Sequence, residues 1–353
     1  MTIRVAIVGY GYWGPNLLRN FAANGNFEVV ALADRRPEAR AAAQRAVRGL
    51  RCYEDGLQVI ALPDVDAVVV ATPVATHFDL ARRALMAGKH VLVEKPICAT
   101  SAEAEELIRI AARLNRTLMV DHVFLFTGAV QAIKQAVDAG RFGDICYFDS
   151  MRVNLGLFQT DVNVLWDLAP HDLSIINYLI DDQVVAVDAT GYCHVNPGLP
   201  DMVYLTLHYA HNMVAHFNLS WMSPMKVRRF VIGGTRQMLI WDDLDHDQKV
   251  RIYDSGIEIR AEGQRATIVP DYRIGDIYSP RISRKEALTA VVDHFGSVIR
   301  AEQTSIMTGK HGLKVVQVME QAQQALDRNL AEVGTRRGAV ADKIGRPLAQ
   351  HGE

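Results

Sequence analysis

Cysteine is scarce: Cys52, Cys98, Cys146 and Cys193 are scattered over 353 residues, with no C-x-x-C pair. That spacing indicates neither a disulfide framework nor a zinc site, and reduced thiols fit a cytoplasmic protein. An excess of one charge is lacking too. The formal net charge is -2, so composition predicts neither nucleic acid nor an anionic membrane as a partner. No apolar run approaches the ~18 residues of a membrane span. The first residues, MTIRVAIVGYG, run straight into a strand pattern without a charged leader, an apolar segment or a cleavage site. Internal repeats are absent as well. What is present is an ordinary globular composition, 49% hydrophobic and 22% charged, in a chain long enough for two domains, since single cores rarely grow past ~250–300 residues.

Two patterns divide the chain. Up to about residue 120, near-continuous apolar strands alternate with helical periodicity: IRVAIV (3–8), EVVALA (28–33), DAVVVA (66–71), HVLVE (90–94) and TLMVD (117–121), with helices near 14–24, 37–47, 76–87 and 101–114. This is the signature of βαβ units around a parallel sheet covered on both faces. Thr100 and Glu103 have capping-box spacing at the last of these helices. From about residue 145, strands follow one another through tight turns over 145–153, 184–192, 202–210, 213–221, 228–234, 237–243 and 249–254, interrupted by one clear helix near 170–180. That predicts an α+β domain on a mixed or antiparallel open sheet. Helices over 284–300 and 310–327 follow. The expected division is a parallel-sheet nucleotide-binding domain over 1–122, an α+β domain over 123–330, and a mobile tail over 331–353.

The first strand runs into GYGYWG, which puts Gly9, Gly11 and Gly14 in G-x-G-x-x-G spacing before a helix, with Asp34 at the end of the second strand. Gly9 allows the tight turn, Gly11 admits a pyrophosphate to the backbone, and Gly14 lets helix pack on strand. The helix N-terminus turns its partial positive charge toward the phosphates. Tyr12 and Trp13 inside the turn are counted with the cofactor contacts. A carboxylate at Asp34 binds both ribose hydroxyls and repels a 2′-phosphate, which favours NAD over NADP. Arg35 and Arg36 follow at once, and an arginine there stacks on adenine or neutralises that phosphate.

Two further strand exits lie at the ligand-binding edge of such a sheet. In ATPVATH (71–77), Thr72 and Pro73 are placed to line the dinucleotide and His77 to reach it; the plainer alternative is a turn in which Thr76 caps the next helix. In VLVEKP (91–96), Lys95 is held between a buried strand and a proline, where an ammonium would sit beside the nicotinamide and donate to a substrate hydroxyl. Glu94 is its neighbour, as a cofactor contact or simply as its ion-pair partner.

These motifs, together with the later DLAPH (167–171), resemble in order and spacing the glucose–fructose oxidoreductase/inositol dehydrogenase/MocA family over residues 3 to about 327. The resemblance implies a Rossmann domain and a C-terminal α/β domain whose open sheet forms a homodimer or homotetramer. It also implies reversible oxidation of a secondary alcohol of a sugar, sugar nucleotide or cyclitol with a nicotinamide cofactor. It places the catalytic lysine on Lys95 and the D-x-x-x-H pair on Asp167 and His171, the histidine being the proton acceptor. The chain departs from the family at 121–126, where DHVFLF replaces the frequent G-H-x-x-R-F and so lacks its glycine and arginine.

Read physically, DVNVLWDLAPHDL (161–173) suits a helix start with Pro170 at or near its first position, Asp167 just upstream and His171 in the first turn. A carboxylate beside an imidazole fixes its tautomer and stabilises imidazolium. Asp172 is assigned to the helix dipole. Arg152, Asn154, Gln159, Asp161 and Asn163, with Phe158 and Trp166, offer the mixed polar and aromatic lining that a sugar needs. Lys226, in SPMKVRR (223–229), is a candidate for a carboxylate or diphosphate, and alternation lets at most one of Arg228 and Arg229 join it. No metal is expected: His208 and His211 are an odd number of residues apart and point to opposite strand faces.

Overall fold

A computed structural model describes residues 2–156, 158–159, 162–262 and 267–344. The apolar runs of the first third form the strands of one sheet. In chain order they and their helices are β1 (Ile3–Val8), α1 (Gly14–Ala23), β2 (Phe27–Ala33), α2 (Pro37–Ala46), β3 (Arg51–Tyr53), α3 (Gly56–Ile60), β4 (Ala67–Val70), α4 (His77–Met86), β5 (His90–Glu94), α5 (Ser101–Arg113) and β6 (Leu118–Asp121). The strand order is β3-β2-β1-β4-β5-β6, and every pairing is parallel. The order in which strands are added reverses between β1 and β4, so a crevice opens at their carboxyl ends. Buried Ala6, Val8, Val68, Val70, Val91 and Val93 pack beneath the helices in one core. The capping box at Thr100 and Glu103 is formed.

The next elements are α6 (Gly128–Asp138), β7 (Ile145–Leu155), α7 (Val164–Leu179), β8 (Val184–Tyr192), β9 (Met202–Tyr209), β10 (Val214–Ser220), β11 (Met222–Gly234), β12 (Met238–Asp242), β13 (Val250–Glu262), β14 (Thr267–Tyr278), α8 (Ala287–Ile299) and α9 (Gly309–Ile344). Their eight-stranded sheet has the order β14-β13-β12-β11-β7-β10-β9-β8. It is mixed, because β10 pairs with β7 in parallel while β9, β11 and β12 sit in antiparallel pairs. One face is closed: Phe148, Phe217, Phe230 and Trp241 are buried, and Phe230 lies 4.8 Å from Phe148 and 4.7 Å from Trp241 by ring centroids. Alternate residues on the opposite face, such as Tyr204, His208 and His216, are exposed.

The chain divides into two compact units: Met1–Asp138 with Pro170–Asp181 and Arg281–Gln317, and Ala139–Ala169 with Asp182–Pro280 and Val318–Glu353. In the first, α8 adds Phe295 to Phe21 and Phe27 and holds α1 through Glu286, which accepts from Arg19 at 2.6 Å. Several elements differ from the sequence pattern. α9 continues to Ile344, so the segment expected as a mobile tail from residue 331 is helical as far as that point. β3 and α3 are too short to show a period, and β14 hides behind Pro270 and its charges, which suit its place at the sheet edge. Pro170 lies inside α7 rather than at its start, and Asn163 is the residue that caps the helix, its Oδ1 accepting from Trp166 N at 3.2 Å.

Candidate active site

The glycine-rich turn meets its steric demands. Gly9 has φ +100°, and a Cβ there would lie 2.3 Å from the Ala71 carbonyl oxygen; one on Gly14 would lie 2.9 Å from Gly9 O. A Cβ on Gly11 would meet nothing within 4 Å, which is the open space a pyrophosphate requires. The first-turn N–H groups of α1 carry no side-chain cap. A cleft of about 730 Å³ follows the sheet edge past Gly9, Gly11, Asp34, Arg35, Thr72 and Pro73. Asp34 Oδ2 accepts from Tyr10 N at 2.8 Å, and Oδ1 accepts from Arg36 N and Nε at 2.9 and 3.1 Å. Burial works to raise the Asp34 pKa, but these hydrogen bonds outweigh it and hold the carboxyl below its ordinary range. Arg36 is therefore engaged by the acid, while Arg35 is exposed at the rim and Tyr12 stands 91% exposed. Turn, acid and cleft fit NAD: the amides and helix terminus face the pyrophosphate and Asp34 the ribose.

His77 corrects an expectation. It is buried, with Nδ1 2.8 Å from Pro96 O and Nε2 2.7 Å from Thr72 O. Each nitrogen lies within hydrogen-bond reach of a backbone carbonyl, and a neutral ring donates to one of the two, so the ring brackets the β4 and β5 exit loops instead of presenting itself to a ligand. Burial pushes its pKa down against the pull of those carbonyls, and Lys95 adds to the depression. Thr76 does not cap α4 with its side chain; its hydroxyl bonds Thr72 Oγ1 and Pro73 O.

At the end of β5 comes Lys95, joined to Pro96 by a cis peptide. Its N–H donates to Glu94 Oε2 at 3.3 Å. Glu94 faces Asp121, its register partner on β6, and Asp121 Oδ2 accepts from the Trp13 indole at 3.4 Å. Burial and then Asp121 push the Glu94 pKa well up; burial also raises that of Asp121 against the opposing bonds to Glu94 and Trp13. Trp13 and Glu94 were expected as cofactor contacts; both are tied into this network, whose acid, Asp121, pattern reading passed over. Next along the chain, His122 is buried, and its pKa falls well below normal through burial, His311 and Lys95. Its ring stands 5.2 Å from that of His311, whose own pKa drops to about 4 through burial and Lys314, against a bond to the Ser174 backbone.

Ser174 leads to α7, its Oγ donating to His171 O at 2.7 Å. The His171 ring lies edge-on to Phe124, 5.1 Å away. Within the first unit, Lys95, His122, His311, Ser174 and His171 thus form a run of neighbours, with Phe124 from the short 3₁₀ turn Val123–Phe126 beside it. One turn earlier on α7, Asp167 Oδ2 accepts from Trp221 Nε1 at 3.0 Å. Asp172 is buried two turns into the helix, not a charge at its start.

The expected substrate contacts fare unevenly. Asn163 and Trp166 both donate to Gln323 Oε1, at 2.8 and 3.0 Å, and so tie α7 to α9. Arg152 is buried in β7 at 3% exposure. Asn154 is half-buried on β7, and Lys226 is exposed on β11 at a register shift. Phe158 packs 5.6 Å from Trp221; Asp161 lies outside the described residues. Each histidine of the exposed strand group has its own partner: His208 with Asp188, His211 with Asp182, His216 with Thr206. Among the described residues no group of three or more His, Cys, Asp or Glu is placed to hold a metal, and no helix is long and apolar enough to cross a membrane.

Comparisons with known proteins match these features. The family model described as "Oxidoreductase family, NAD-binding Rossmann fold" covers residues 3–122, and the GFO/IDH/MocA C-terminal domain covers 130–240. Inositol 2-dehydrogenase of Rhizobium meliloti is 26% identical over 290 residues, 79% of this chain and 81% of its own. UDP-N-acetylglucosamine 3-dehydrogenase of Acidithiobacillus ferrooxidans is 26% identical over 328 residues, 92% of this chain and 97% of its own. A solved structure of the latter has TM-score 0.79 at 26% identity, covering 94% of this chain and 99% of that one. Scyllo-inositol dehydrogenase from Lactobacillus casei, solved with NAD(H) and scyllo-inositol, shares the fold at TM-score 0.76 and 21% identity, covering 93% of this chain and 98% of that one.

Proposed function

The chain belongs to the GFO/IDH/MocA oxidoreductase family, and on that premise we propose that it interconverts a ring carbinol and ketone of a nucleotide sugar, at C3 by preference, using NAD. It is an NAD-dependent dehydrogenase of sugars or cyclitols. The near end-to-end match to a UDP-N-acetylglucosamine 3-dehydrogenase supports a nucleotide sugar as substrate. Lys226, exposed on β11, supplies a cation for a diphosphate or carboxylate. An equally identical inositol 2-dehydrogenase supports the second reading, a free cyclitol as substrate.

When bound, NAD accepts or returns the hydride at its nicotinamide ring. Gly9, Gly11 and Gly14 shape the backbone for its pyrophosphate, with Asp34, Thr72 and Pro73 along the same cleft. Lys95 donates a hydrogen bond from its ammonium to the carbinol oxygen. His171 takes the hydroxyl proton on an imidazole nitrogen and returns it in the reverse direction. Asp167, one turn before it on α7, orients the imidazole. Asn154 and Lys226 contact the sugar. The enzyme works in the cytoplasm as a homodimer or homotetramer through the open face of the eight-stranded sheet.

A panel of UDP-sugars, dTDP-sugars and inositols incubated with NAD and followed by nicotinamide absorbance tests the reading. Turnover confined to cyclitols would overturn the nucleotide-sugar assignment. Lys95→Ala and His171→Ala should each lower kcat by roughly 10²-fold or more while NADH still binds; undiminished turnover would remove those two residues from the chemistry.

A further inference from the structure

Glu94 ends β5 and Asp121 ends β6, and the two are register partners on adjacent parallel strands. Side chains of such partners leave the sheet on the same face, so two carboxyls meet at the edge immediately before Lys95. Asp121 Oδ2 also takes the indole N–H of Trp13, from the glycine-rich turn, at 3.4 Å. Glu94 Oε2 accepts from the Lys95 N–H at 3.3 Å. The remaining oxygens, Glu94 Oε1 and Asp121 Oδ1, are closed to solvent and meet no donor among the described residues. Two facing carboxylates out of water cannot both stay charged, since repulsion and lost hydration add. One proton held between them satisfies the pair.

We propose that Asp121 is a positioning residue for Lys95: through Glu94 it fixes the strand end that delivers the ammonium, and through Trp13 it couples that end to the glycine-rich turn. This rests on the reading of Lys95 as the group that meets the carbinol oxygen. The titratable groups around the pair are Lys95, the imidazoles of His77 and His122 near it, His311 against His122, and Lys314 against His311. Burial keeps all three imidazoles uncharged near neutral pH, so the pair's one negative charge faces the Lys95 ammonium. While Asp121 is present that charge is shared toward Trp13. In Asp121→Asn the repulsion of the second acid is gone, the Lys95 ammonium and N–H pull on Glu94 against its burial, and the charge settles on Glu94, drawing the ammonium toward β5.

The infrared spectrum of the folded protein, without substrate or NAD, reads the proton directly. At pH 7–8 the wild type should show the carbonyl stretch of one buried protonated carboxyl group, and both Glu94→Gln and Asp121→Asn should lose it. On a substrate from the sugar panel, Asp121→Asn should lower kcat about ten-fold and move the acid limb of its pH profile, with NADH affinity by fluorescence titration changed less than about two-fold. Absence of the band from the wild type overturns the proposal, whether or not any sugar is turned over. So does an Asp121→Asn enzyme with wild-type kcat and pH profile. Should that variant fail to fold, the wild-type and Glu94→Gln spectra decide alone. If instead Lys95→Ala is fully active while the band persists, the reading of Lys95 falls and the carboxyl pair stands.

Discussion

Asp34 carries hydrogen bonds from Tyr10 N and from the backbone and guanidinium of Arg36, and a carboxylate at this position repels a 2′-phosphate. The same arginine that could neutralise a 2′-phosphate is held by the acid that repels it. Sequence alone left both roles open for the pair; the geometry joins them. Replacing Asp34 by serine removes the repulsion and releases Arg36 from its ion pair, leaving its bond to Tyr10 O. The expected outcome is a fall of about 10- to 100-fold in the ratio of NADH to NADPH affinity. Fluorescence titration of both cofactors measures it, and an unchanged ratio would show that Arg36 does not turn to a phosphate. His77 teaches the complementary lesson. Its position after a strand suggested a ligand contact, but its two carbonyl partners belong to Thr72 and Pro96, and the second of these comes from a different loop.

Among the elements, α7 shows its chemistry most clearly in sequence and its boundaries least. Its D-x-x-x-H spacing stands out because the two residues are four apart. Its start does not, because Pro170 suits a first helical position, while the residue that caps the helix is Asn163, whose amide equally suits a sugar hydroxyl. The partner that reassigns Asn163 and Trp166 is Gln323, 160 and 157 residues away, beyond the reach of any local pattern. The Trp13–Asp121 bond escaped for the same reason, spanning 108 residues. By contrast, the glycine turn, the capping box and the parallel strands were legible because their physics is contained in a few consecutive residues. The reassigned Asn163 can be tested as a cap. Asn163→Ala removes the acceptor for the Trp166 N–H and the bond to Gln323, and should cost about 1–2 kcal/mol in urea unfolding. Loss of sugar affinity without loss of stability would restore Asn163 as a substrate contact.

At the scale of the whole molecule, the first unit holds uncharged imidazoles, buried at His77 and His122 and half-buried at His90 and His311, and together these set how the protein responds to acid. His90 is the cleanest case. Its Nδ1 accepts from Thr117 N at 3.1 Å, which requires the neutral ring, and burial followed by Arg116 lowers its pKa to about 4, with Asp66 opposing. A base whose folded pKa lies below its unfolded value of about 6.5 takes up more protons when unfolded between those limits. Its contribution is therefore fully present above pH ~6.5 and is lost as pH falls toward ~4. For His90, discounted for partial exposure, that is about 2 kcal/mol, and His311, also lowered to about 4, acts in the same direction. Stability of the first unit should thus decline between pH 6.5 and 4, before the exposed carboxylates titrate. His90→Asn keeps an acceptor for Thr117 N but cannot ionise, so its stability–pH curve should be flatter than the wild type by about 2 kcal/mol over that range. Urea unfolding at pH 7.5 and pH 5, in wild type and variant, makes the comparison, and parallel curves would show that His90 is not a source of the acid sensitivity.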